Sequence, residues 1–393
     1  MPTNSNDIIN STDRSEQILG LNGADEFHWT PGGHDTFIGG DLGEAYDVNI
    51  YLDKTGGDRL FVGGNRGVKL NFENTEDGLV TSGEHSLKFS GMERIHLTDG
   101  NDTVRAGAAT LRGAHGDTPE HGLTIYTGAG NDDVVGTRYD DYIDGGIGND
   151  TIRAGSGNDH IQSSTGNDLV YGGAGIDNIR WGLGDSTWHD PGNDTIYGGG
   201  GQDVINAWGW TGGNGDGARG VTTNITAVGT DGSFSGVSRV DTGARIAELK
   251  FFGFELGWNH LANDTVDGSG AQVSGSNGIS WNTRWGDDVL IGTAGNDTLE
   301  GGEGRDTITG GAGNDLISAN GDFWNPNGAQ ADAEVDTIVL RAGFGHDTVL
   351  AFGDNDILDT GGMRYTATEN ARGTLLTFST GDTLLLNNVF DFM

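Results

Sequence analysis

The sequence has no cysteine and only 5 Pro in 393 residues. Without Cys there is no disulfide scaffold, no thiolate metal site and no Cys nucleophile. Glycine is plentiful, with 73 residues against a usual level of about 7%, but it does not recur with period three. Together with the scarcity of proline, this excludes a collagen-like chain. A chain long enough for two or three ordinary domains is therefore held together by something other than disulfides.

Basic residues and long apolar runs are also scarce. There are 21 Lys and Arg against 58 Asp and Glu, a formal net charge of −37. This balance argues against a nucleic-acid-binding surface and against attraction to an anionic membrane. No stretch approaches the roughly 18 apolar residues that span a bilayer, so no membrane insertion is predicted. The first 17 residues lack the basic and apolar regions of a cleavable signal peptide, and we expect any export signal to lie elsewhere.

The acidic residues are strongly biased toward the shorter carboxylate, with 44 Asp against 14 Glu. Solubility alone gives no reason for that preference. Asp both forms turns and binds hard cations. The bias therefore predicts loops that coordinate a divalent ion, and Ca²⁺ is the leading candidate.

An internal repeat dominates the sequence. From Thr127 onward, blocks of nine residues follow the pattern GGxGxD and then x-apolar-x. The Asp positions that keep this register are Asp132, Asp141, Asp150, Asp159, Asp168, Asp177, Asp194, Asp203, Asp288, Asp297, Asp306 and Asp315. We predict these twelve residues as metal ligands. A flexible Gly/Asp linker would have no reason to keep an apolar residue in phase.

The nonapeptide predicts a parallel β-roll. Its glycines permit φ > 0, and the three residues after the Asp suit a short strand with one inward apolar side chain. If two nonapeptides complete a turn, Asp132, Asp150 and Asp168 line one edge, and Asp141, Asp159 and Asp177 the other. A cation between stacked turns then takes carboxylates and main-chain carbonyls, an all-oxygen shell that suits calcium.

These blocks resemble the RTX, or haemolysin-type, calcium-binding repeats. The resemblance is uninterrupted over about 127–206 and 286–320. It implies an all-β chain, a right-handed parallel β-roll or β-solenoid, with Ca²⁺ as its cofactor. The chain also ends in Val389-Phe-Asp-Phe-Met393, which is similar to the uncleaved type I secretion signal of such proteins. The type I secretion apparatus is thus an expected partner, and the expected location is extracellular or at a bacterial cell surface.

We expect two hairpin-bearing irregular modules and a C-terminal capping strand module within this solenoid. Residues 66–104 and 219–266 resemble each other, beginning RGVKLNF and RGVTTNI and both ending in NDTV, and alternating apolar residues suggest a β-hairpin in each. The predicted segments are 1–65, degenerate solenoid turns; 66–126, the first hairpin-bearing module; 127–206, a β-roll; 207–285, the second, Trp-rich hairpin-bearing module; 286–320, a second β-roll; and 321–393, the cap with its secretion signal.

Enzymatic motifs are mostly missing, but one cluster offers an alternative. HExxH is absent and no Ser has Gly at both −2 and +2, which excludes the metalloprotease and lipase types. Five Trp fall within 207–285: Trp208, Trp210, Trp258, Trp281 and Trp285. They could stack saccharide rings, with His260 as a base and Arg284 on a uronate carboxylate.

Two hypotheses follow. The first is a secreted calcium-folded β-roll protein with a structural, adhesive or surface role, whose Trp residues cover a seam between β-roll segments. The alternative is a polysaccharide-active enzyme of the lyase or epimerase type, or a carbohydrate-binding module, with acidic polysaccharide as the partner. The first rests on the whole repeat pattern and the second on one cluster, so whether the protein is an enzyme stays open at this point, with the balance against it.

Overall fold

A computed structural model of the chain describes residues 6–20, 24–39, 58–110, 121–182, 190–207, 219–320, 334–390 and 392. Within these ranges every regular secondary-structure element is a β-strand. None of the described segments is a helix with the length and apolarity needed to cross a membrane. The chain divides into two compact units, Met1–Leu183 with Pro191–Asp203, and Gly184–Asp190 with Val204–Met393. We call them the N-terminal and C-terminal units.

The described residues of the N-terminal unit form eighteen strands. They are β1 (Ile8–Asn10), β2 (Gln17–Leu19), β3 (Glu26–Trp29), β4 (His34–Ile38), β5 (Arg59–Val62), β6 (Lys69–Phe72), β7 (Gly78–Ser82), β8 (His85–Ser90), β9 (Arg94–His96), β10 (Thr103–Arg105), β11 (His121–Tyr126), β12 (Asp133–Val135), β13 (Asp140–Asp144), β14 (Thr151–Ser156), β15 (His160–Gln162), β16 (Leu169–Ala174), β17 (Asn178–Trp181) and β18 (Asn193–Gly200).

These strands alternate between two sheets as the chain coils. One sheet runs β1-β3-β5-β9-β11-β13-β15-β17, and all its strands are parallel. In the other sheet, β10, β12, β14, β16 and β18 are also parallel neighbours. Two nonapeptides thus make one turn of the coil, as in a β-roll.

The core between the two sheets is a single stack of apolar side chains. Ile152 lies in register with Val134 on one side and Val170 on the other, and all three side chains are fully buried. In the opposite sheet Ile143 and Ile161 pair in the same way. In three-residue strands such as β12, only the middle residue is buried, so each of these strands contributes little apolar area.

Glycine is required where successive turns touch. Gly148 has φ of +145°, and a Cβ there would lie 1.4 Å from the Gly130 carbonyl oxygen of the turn before. Gly166 repeats this arrangement against the Gly148 carbonyl oxygen at 1.6 Å. A side chain at either position would force the turns apart.

An antiparallel insertion interrupts the second sheet of the N-terminal unit. Strand β8 is parallel to β4, then β8, β7 and β6 run antiparallel, and β6 is parallel to β10. The element is a three-stranded meander, one strand longer than the hairpin that we predicted. Its alternating burial keeps Leu70 and Leu87 on the core side.

In the C-terminal unit, the part of the chain that the structure describes forms another eighteen strands. They are β19 (Val204–Ala207), β20 (Val221–Val228), β21 (Phe234–Asp241), β22 (Ile246–Phe254), β23 (Leu256–Trp258), β24 (Thr265–Asp267), β25 (Gln272–Val273), β26 (Asn277–Trp285), β27 (Val289–Ile291), β28 (Asn296–Glu303), β29 (Thr307–Thr309), β30 (Leu316–Ser318), β31 (Thr337–Val339), β32 (His346–Leu350), β33 (Ile357–Asp359), β34 (Tyr365–Asn370), β35 (Gly373–Phe378) and β36 (Thr383–Asn387).

This unit repeats the plan of the first. Strands β19-β23-β26-β28-β30-β32 form one parallel sheet, and β24-β27-β29-β31-β33 run parallel in the other. The second sheet begins with the antiparallel meander β20-β21-β22, whose strand β20 is parallel to β24. At the other end β36 is parallel to β32, and β36, β35 and β34 turn back antiparallel.

The two antiparallel insertions share a close contact with the turn that follows them. Gly67 lies against the Asn101 carbonyl oxygen, where a Cβ would approach to 1.8 Å, and Gly220 lies against that of Asn263, at 1.9 Å. These observations confirm the predicted fold class: an all-β parallel solenoid with two hairpin-bearing modules and capping strands at the C-terminus.

The one-residue-thick core predicts a contrast between two isoleucines of one repeat. Ile152→Ala leaves a cavity in a fully buried stack and should lower the free energy of unfolding by about 2–5 kcal/mol. Ile147→Ala removes the same atoms from a side chain that is 55% exposed and should change it by less than about 0.5 kcal/mol. Urea unfolding in saturating calcium measures both, and equal losses would contradict a core built from the middle strand residues alone.

Candidate metal centre

All twelve Asp residues predicted from the repeat are buried, each with at most 3% of its surface exposed. Each Asp immediately precedes a strand or lies at its second residue. The structure therefore puts a regular series of carboxylates inside the turns of the two β-rolls.

Hydrogen bonds connect these carboxylates into ladders along each edge. On one edge of the N-terminal unit, the Asp132 amide donates to Oδ1 of Asp150 at 2.7 Å, and the Asp150 amide to Oδ1 of Asp168 at 2.8 Å. The Asp168 amide continues the ladder to Asp194. The other edge of this unit has the bonds Asp141 to Asp159, Asp159 to Asp177 and Asp177 to Asp203, at 2.8–2.9 Å.

The C-terminal unit has two ladders of the same kind. The Asp288 amide donates to Asp306 and the Asp297 amide to Asp315, both at 2.9 Å. In both units Oδ1 of one turn thus accepts the amide of the turn before it. The first role of each Asp is to hold stacked turns in register.

The second carboxylate oxygen is different. Oδ2 is buried and has no hydrogen-bond partner in Asp150, Asp159, Asp168, Asp177, Asp306 and Asp315. In Asp150, Asp177, Asp306 and Asp315 it lies against the glycine five residues earlier: a Cβ on Gly172 would come within 2.4 Å of Oδ2 of Asp177, and one on Gly310 within 2.3 Å of that of Asp315. A buried, unpartnered, charged oxygen is costly unless a cation or proton satisfies it.

The donor set fits a hard cation that takes much of its shell from the main chain. Among the described residues no group of three or more His, Asp or Glu side chains comes together as a metal cluster. The turns instead combine one carboxylate each with closely spaced backbone carbonyls such as those of Gly130 and Gly148. An all-oxygen set of this kind suits Ca²⁺, which accepts carbonyl oxygens readily.

Burial changes the acidity of these carboxyls. It raises the pKa of Asp150 to about 8, and neighbouring carboxylates add to the increase while the hydrogen bond from the Asp132 amide opposes it. Burial likewise raises the pKa of Asp306 to about 8 and that of Asp315 to about 7. Without a cation, Asp150 and Asp306 favour the protonated form at neutral pH.

Four further buried Asp residues extend these four ladders and were not among the predicted ligands. Asp102, Asp264, Asp336 and Asp347 are all buried. They continue the ladders through the bonds Asp102 to Asp132, Asp264 to Asp288, Asp306 to Asp336 and Asp315 to Asp347. Their sequence signal is Asp-Thr followed by Val or Ile, as in DTV and DTI, which persists where the preceding glycines have been lost.

A second ladder, formed by asparagine, was also missed. The amides of Asn149, Asn167 and Asn193 each donate to Oδ1 of the Asn one turn earlier, at 2.7–3.0 Å. This ladder is exposed and runs opposite to the Asp ladder, in which each amide bonds to the following turn. The sequence signal of this asparagine ladder is the Asn that directly precedes Asp in the pattern GND.

The model of the RTX calcium-binding nonapeptide repeat matches the chain over 89–110, 126–161, 144–179, 154–187, 190–209, 283–317 and 339–362. The chain carries RTX calcium-binding repeats. The first and last RTX matches contain Asp102 and Asp347, outside the segments that we predicted as regular β-roll. No curated protein matches the chain. The RTX repeats imply calcium as the ion of these turns.

The members of the Trp-rich cluster lie in different environments in the structure. Trp281 is fully buried, donates its indole N–H to Oδ1 of Asn259 and packs near Phe234 and Phe251. Trp208 and Trp210 lie outside the described residues.

The remaining members of the cluster are half-buried. The Arg284 guanidinium lies 5.1 Å from the ring centres of both Trp258 and Trp285, and His260 is 5.5 Å from Trp285. Because Arg284 occupies a face of each indole, these contacts favour the structural interpretation.

The raised pKa values predict how the metal-free RTX roll depends on pH. A carboxyl whose pKa rises from 3.8 to about 8 in the folded state, as for Asp150, contributes stability below pH 4 that is lost as the pH rises toward 8. Circular dichroism of decalcified protein should therefore show more β-structure at pH 5 than at pH 8. Saturating calcium should remove that difference, because the ion binds the deprotonated form. A metal-free roll that gains structure as the pH rises would contradict this assignment.

Proposed function

We propose that this is an extracellular protein whose RTX rolls fold when Ca²⁺ binds between stacked GGxGxD turns, and that it has a structural, adhesive or surface role. The observation that carries this proposal is the series of buried, unpartnered Oδ2 atoms at Asp150, Asp159, Asp168, Asp177, Asp306 and Asp315. Each is a strong acceptor buried in a turn of the repeat, and calcium is the ion that the repeats imply.

The proposed mechanism is linkage between metal binding and folding. Without calcium, closely stacked carboxylates must be neutralised or separated, and a core one side chain thick provides little to offset that cost. Extracellular calcium modules bind at about 10⁻⁴–10⁻³ M. A chain with that affinity stays unfolded where calcium is scarce and folds where it is plentiful.

Export through a type I apparatus is the second part of the proposal. A channel that passes unfolded chains would suit a protein that folds only after it meets calcium. The C-terminal sequence Val389-Phe-Asp-Phe-Met393 supports this route by its resemblance to type I signals. The protein would then act outside the cell or at its surface, with calcium and the secretion apparatus as its partners.

For the Trp-rich cluster we propose a structural role rather than polysaccharide turnover. Trp281 is a core residue, and Trp258 and Trp285 hold Arg284 between them. Carbohydrate stacking requires an accessible aromatic face, and one face of each of these indoles is already in use.

The calcium proposal predicts a contrast between two Asp→Asn substitutions. Asp150→Asn removes the charge on a buried Oδ2 but keeps the oxygen that accepts the Asp132 amide. The calcium concentration at half-folding should rise by about tenfold or more, because a charge-assisted ligand is lost. Calcium titration followed by circular dichroism measures this shift.

Asp133→Asn is the matched control for this experiment. Asp133 is in the neighbouring repeat, but its side chain is 43% exposed and pairs with Arg105 and Arg153. Its substitution changes the net charge equally and should leave the calcium midpoint within about twofold, since exposed ion pairs contribute little. A similar shift in both variants would assign the effect to net charge and not to a site at Asp150.

The structural role of the Trp-rich cluster predicts no chemistry on acidic polysaccharides. Calcium-loaded protein incubated with uronate polymers should yield neither unsaturated chain ends nor shorter polymers, measured by ultraviolet absorbance and size exclusion. Turnover that disappears in a folded His260→Ala variant would instead establish the lyase or epimerase alternative.

A further inference from the structure

Two consecutive turns of one ladder differ at a single position of the hexapeptide. Residues 292–297 read GTAGND and residues 310–315 read GGAGND. They are joined by the bond from the Asp297 amide to Oδ1 of Asp315. The chain thus contains a natural comparison of Thr293 with Gly311 at the second position of the turn.

The carboxylate of the Thr turn is saturated by protein donors. The Thr293 amide donates to Oδ2 of Asp297 at 2.7 Å, and the Thr293 hydroxyl lies 3.0 Å from Oδ1 and 3.3 Å from Oδ2. Oδ1 also accepts the Ile279 amide at 2.6 Å. In Asp315, by contrast, Oδ2 is buried and has no partner.

The two turns differ in backbone conformation as well as in the side chain at the second position. Gly311 and Gly313 have φ of +108° and +141°, whereas neither Thr293 nor Gly295 has positive φ. A β-branched residue strongly disfavours that region. Thr293 therefore keeps the turn in a conformation that directs its own amide at Oδ2.

The same hydrogen bonds from a Thr amide and hydroxyl to the Asp carboxylate occur in two other turns. The Thr98 amide donates to Oδ2 of Asp102 at 2.9 Å and its hydroxyl to Oδ1 at 2.9 Å. The Thr137 amide and hydroxyl bond to Asp141 in the same pattern, at 2.6 and 2.8 Å. We call these three the closed turns: 97–102, 136–141 and 292–297.

All three closed turns occupy equivalent places in the fold. Each contains the first Asp of its ladder, because the amide that donates to its Oδ1 belongs to an apolar residue instead of an Asp. Those residues are Val68 for Asp102, Leu123 for Asp141 and Ile279 for Asp297. Asp264 begins the fourth ladder by accepting the Val221 amide, but the second position of its turn is His260 and not Thr. Every later Asp in these four ladders accepts the amide of the preceding Asp.

We propose that the closed turns bind no calcium, and that Thr98, Thr137 and Thr293 make them metal-independent caps at which the calcium-binding turns begin. An N–H group aimed at Oδ2 occupies the side from which a cation would approach, and its positive end repels one. This inference rests on the proposed function, since it presupposes calcium at the Gly turns. It removes Asp141 and Asp297 from the predicted ligands.

The decisive comparison is Asp315→Asn against Asp297→Asn, with bound calcium per chain counted by equilibrium dialysis and elemental analysis of folded protein. Asp315→Asn should lower the count, since it removes the charge of an unpartnered Oδ2. Asp297→Asn should leave the count unchanged. It should lower the melting temperature equally at two saturating calcium concentrations, because an amide NH₂ would face the Thr293 N–H.

The reciprocal substitution opens a closed turn. Thr293→Gly makes the sequence of 292–297 identical to that of 310–315, and the count should rise by a single ion. Thr293→Ser keeps the amide and the hydroxyl and should bind the same number as the unmodified protein.

The outcomes separate the two claims. If Asp315→Asn leaves the calcium count unchanged, the proposed calcium sites at the Gly turns are wrong. If Asp315→Asn and Asp297→Asn lower the count equally, the Gly turns bind calcium but the closed turns do so as well, and the inference about Thr is overturned. An unchanged count in folded Thr293→Gly would also contradict it.

Discussion

The buried Asp carboxylate is the group on which the rest of this structure depends. Its Oδ1 accepts the amide of the previous turn, as Asp150 does from Asp132, and this bond fixes the spacing of the coil. The same bond draws Oδ2 into the interior, where water cannot reach it. One side chain thus both holds the roll in register and places an uncompensated acceptor inside it. An RTX roll needs something to satisfy that oxygen because its core is too thin to offset the cost.

The ladder also explains how the chain absorbs insertions without losing the coil. Six of the twelve steps between the bonded Asp residues named above are 18 residues long, but the step from Asp168 to Asp194 is 26 and that from Asp315 to Asp347 is 32. The amide-to-carboxylate bond still joins the two Asp residues across these longer steps. Register is therefore held by amide-to-carboxylate bonds and stacked carbonyls at the turns. The exact spacing of the repeat in the sequence matters less.

The turns provide two solutions to the same electrostatic problem. In a Gly turn, positive φ at the second and fourth positions leaves Oδ2 unpartnered, and an external cation is required. In a closed turn, a Thr at the second position turns its amide and hydroxyl onto the carboxylate. Both kinds of turn occur in one ladder, at Asp315 and Asp297. A match to the RTX repeat therefore does not establish that every one of its Asp residues is a metal ligand.

The sequence by itself determined the all-β parallel coil, its antiparallel insertions and the twelve buried Asp positions, because a nine-residue period with one apolar residue in phase is a local property of the chain. Only the tertiary structure decided which carboxylate oxygens are satisfied, because the partners of the Asp150 and Asp194 carboxylates are amides 18 and 26 residues away. It also decided that Trp281 is a core side chain, which depends on how Phe234 and Phe251 of the second meander pack against it. Periodicity predicts where a side chain lies along the coil, whereas hydrogen bonding and burial depend on what the neighbouring turns bring to it.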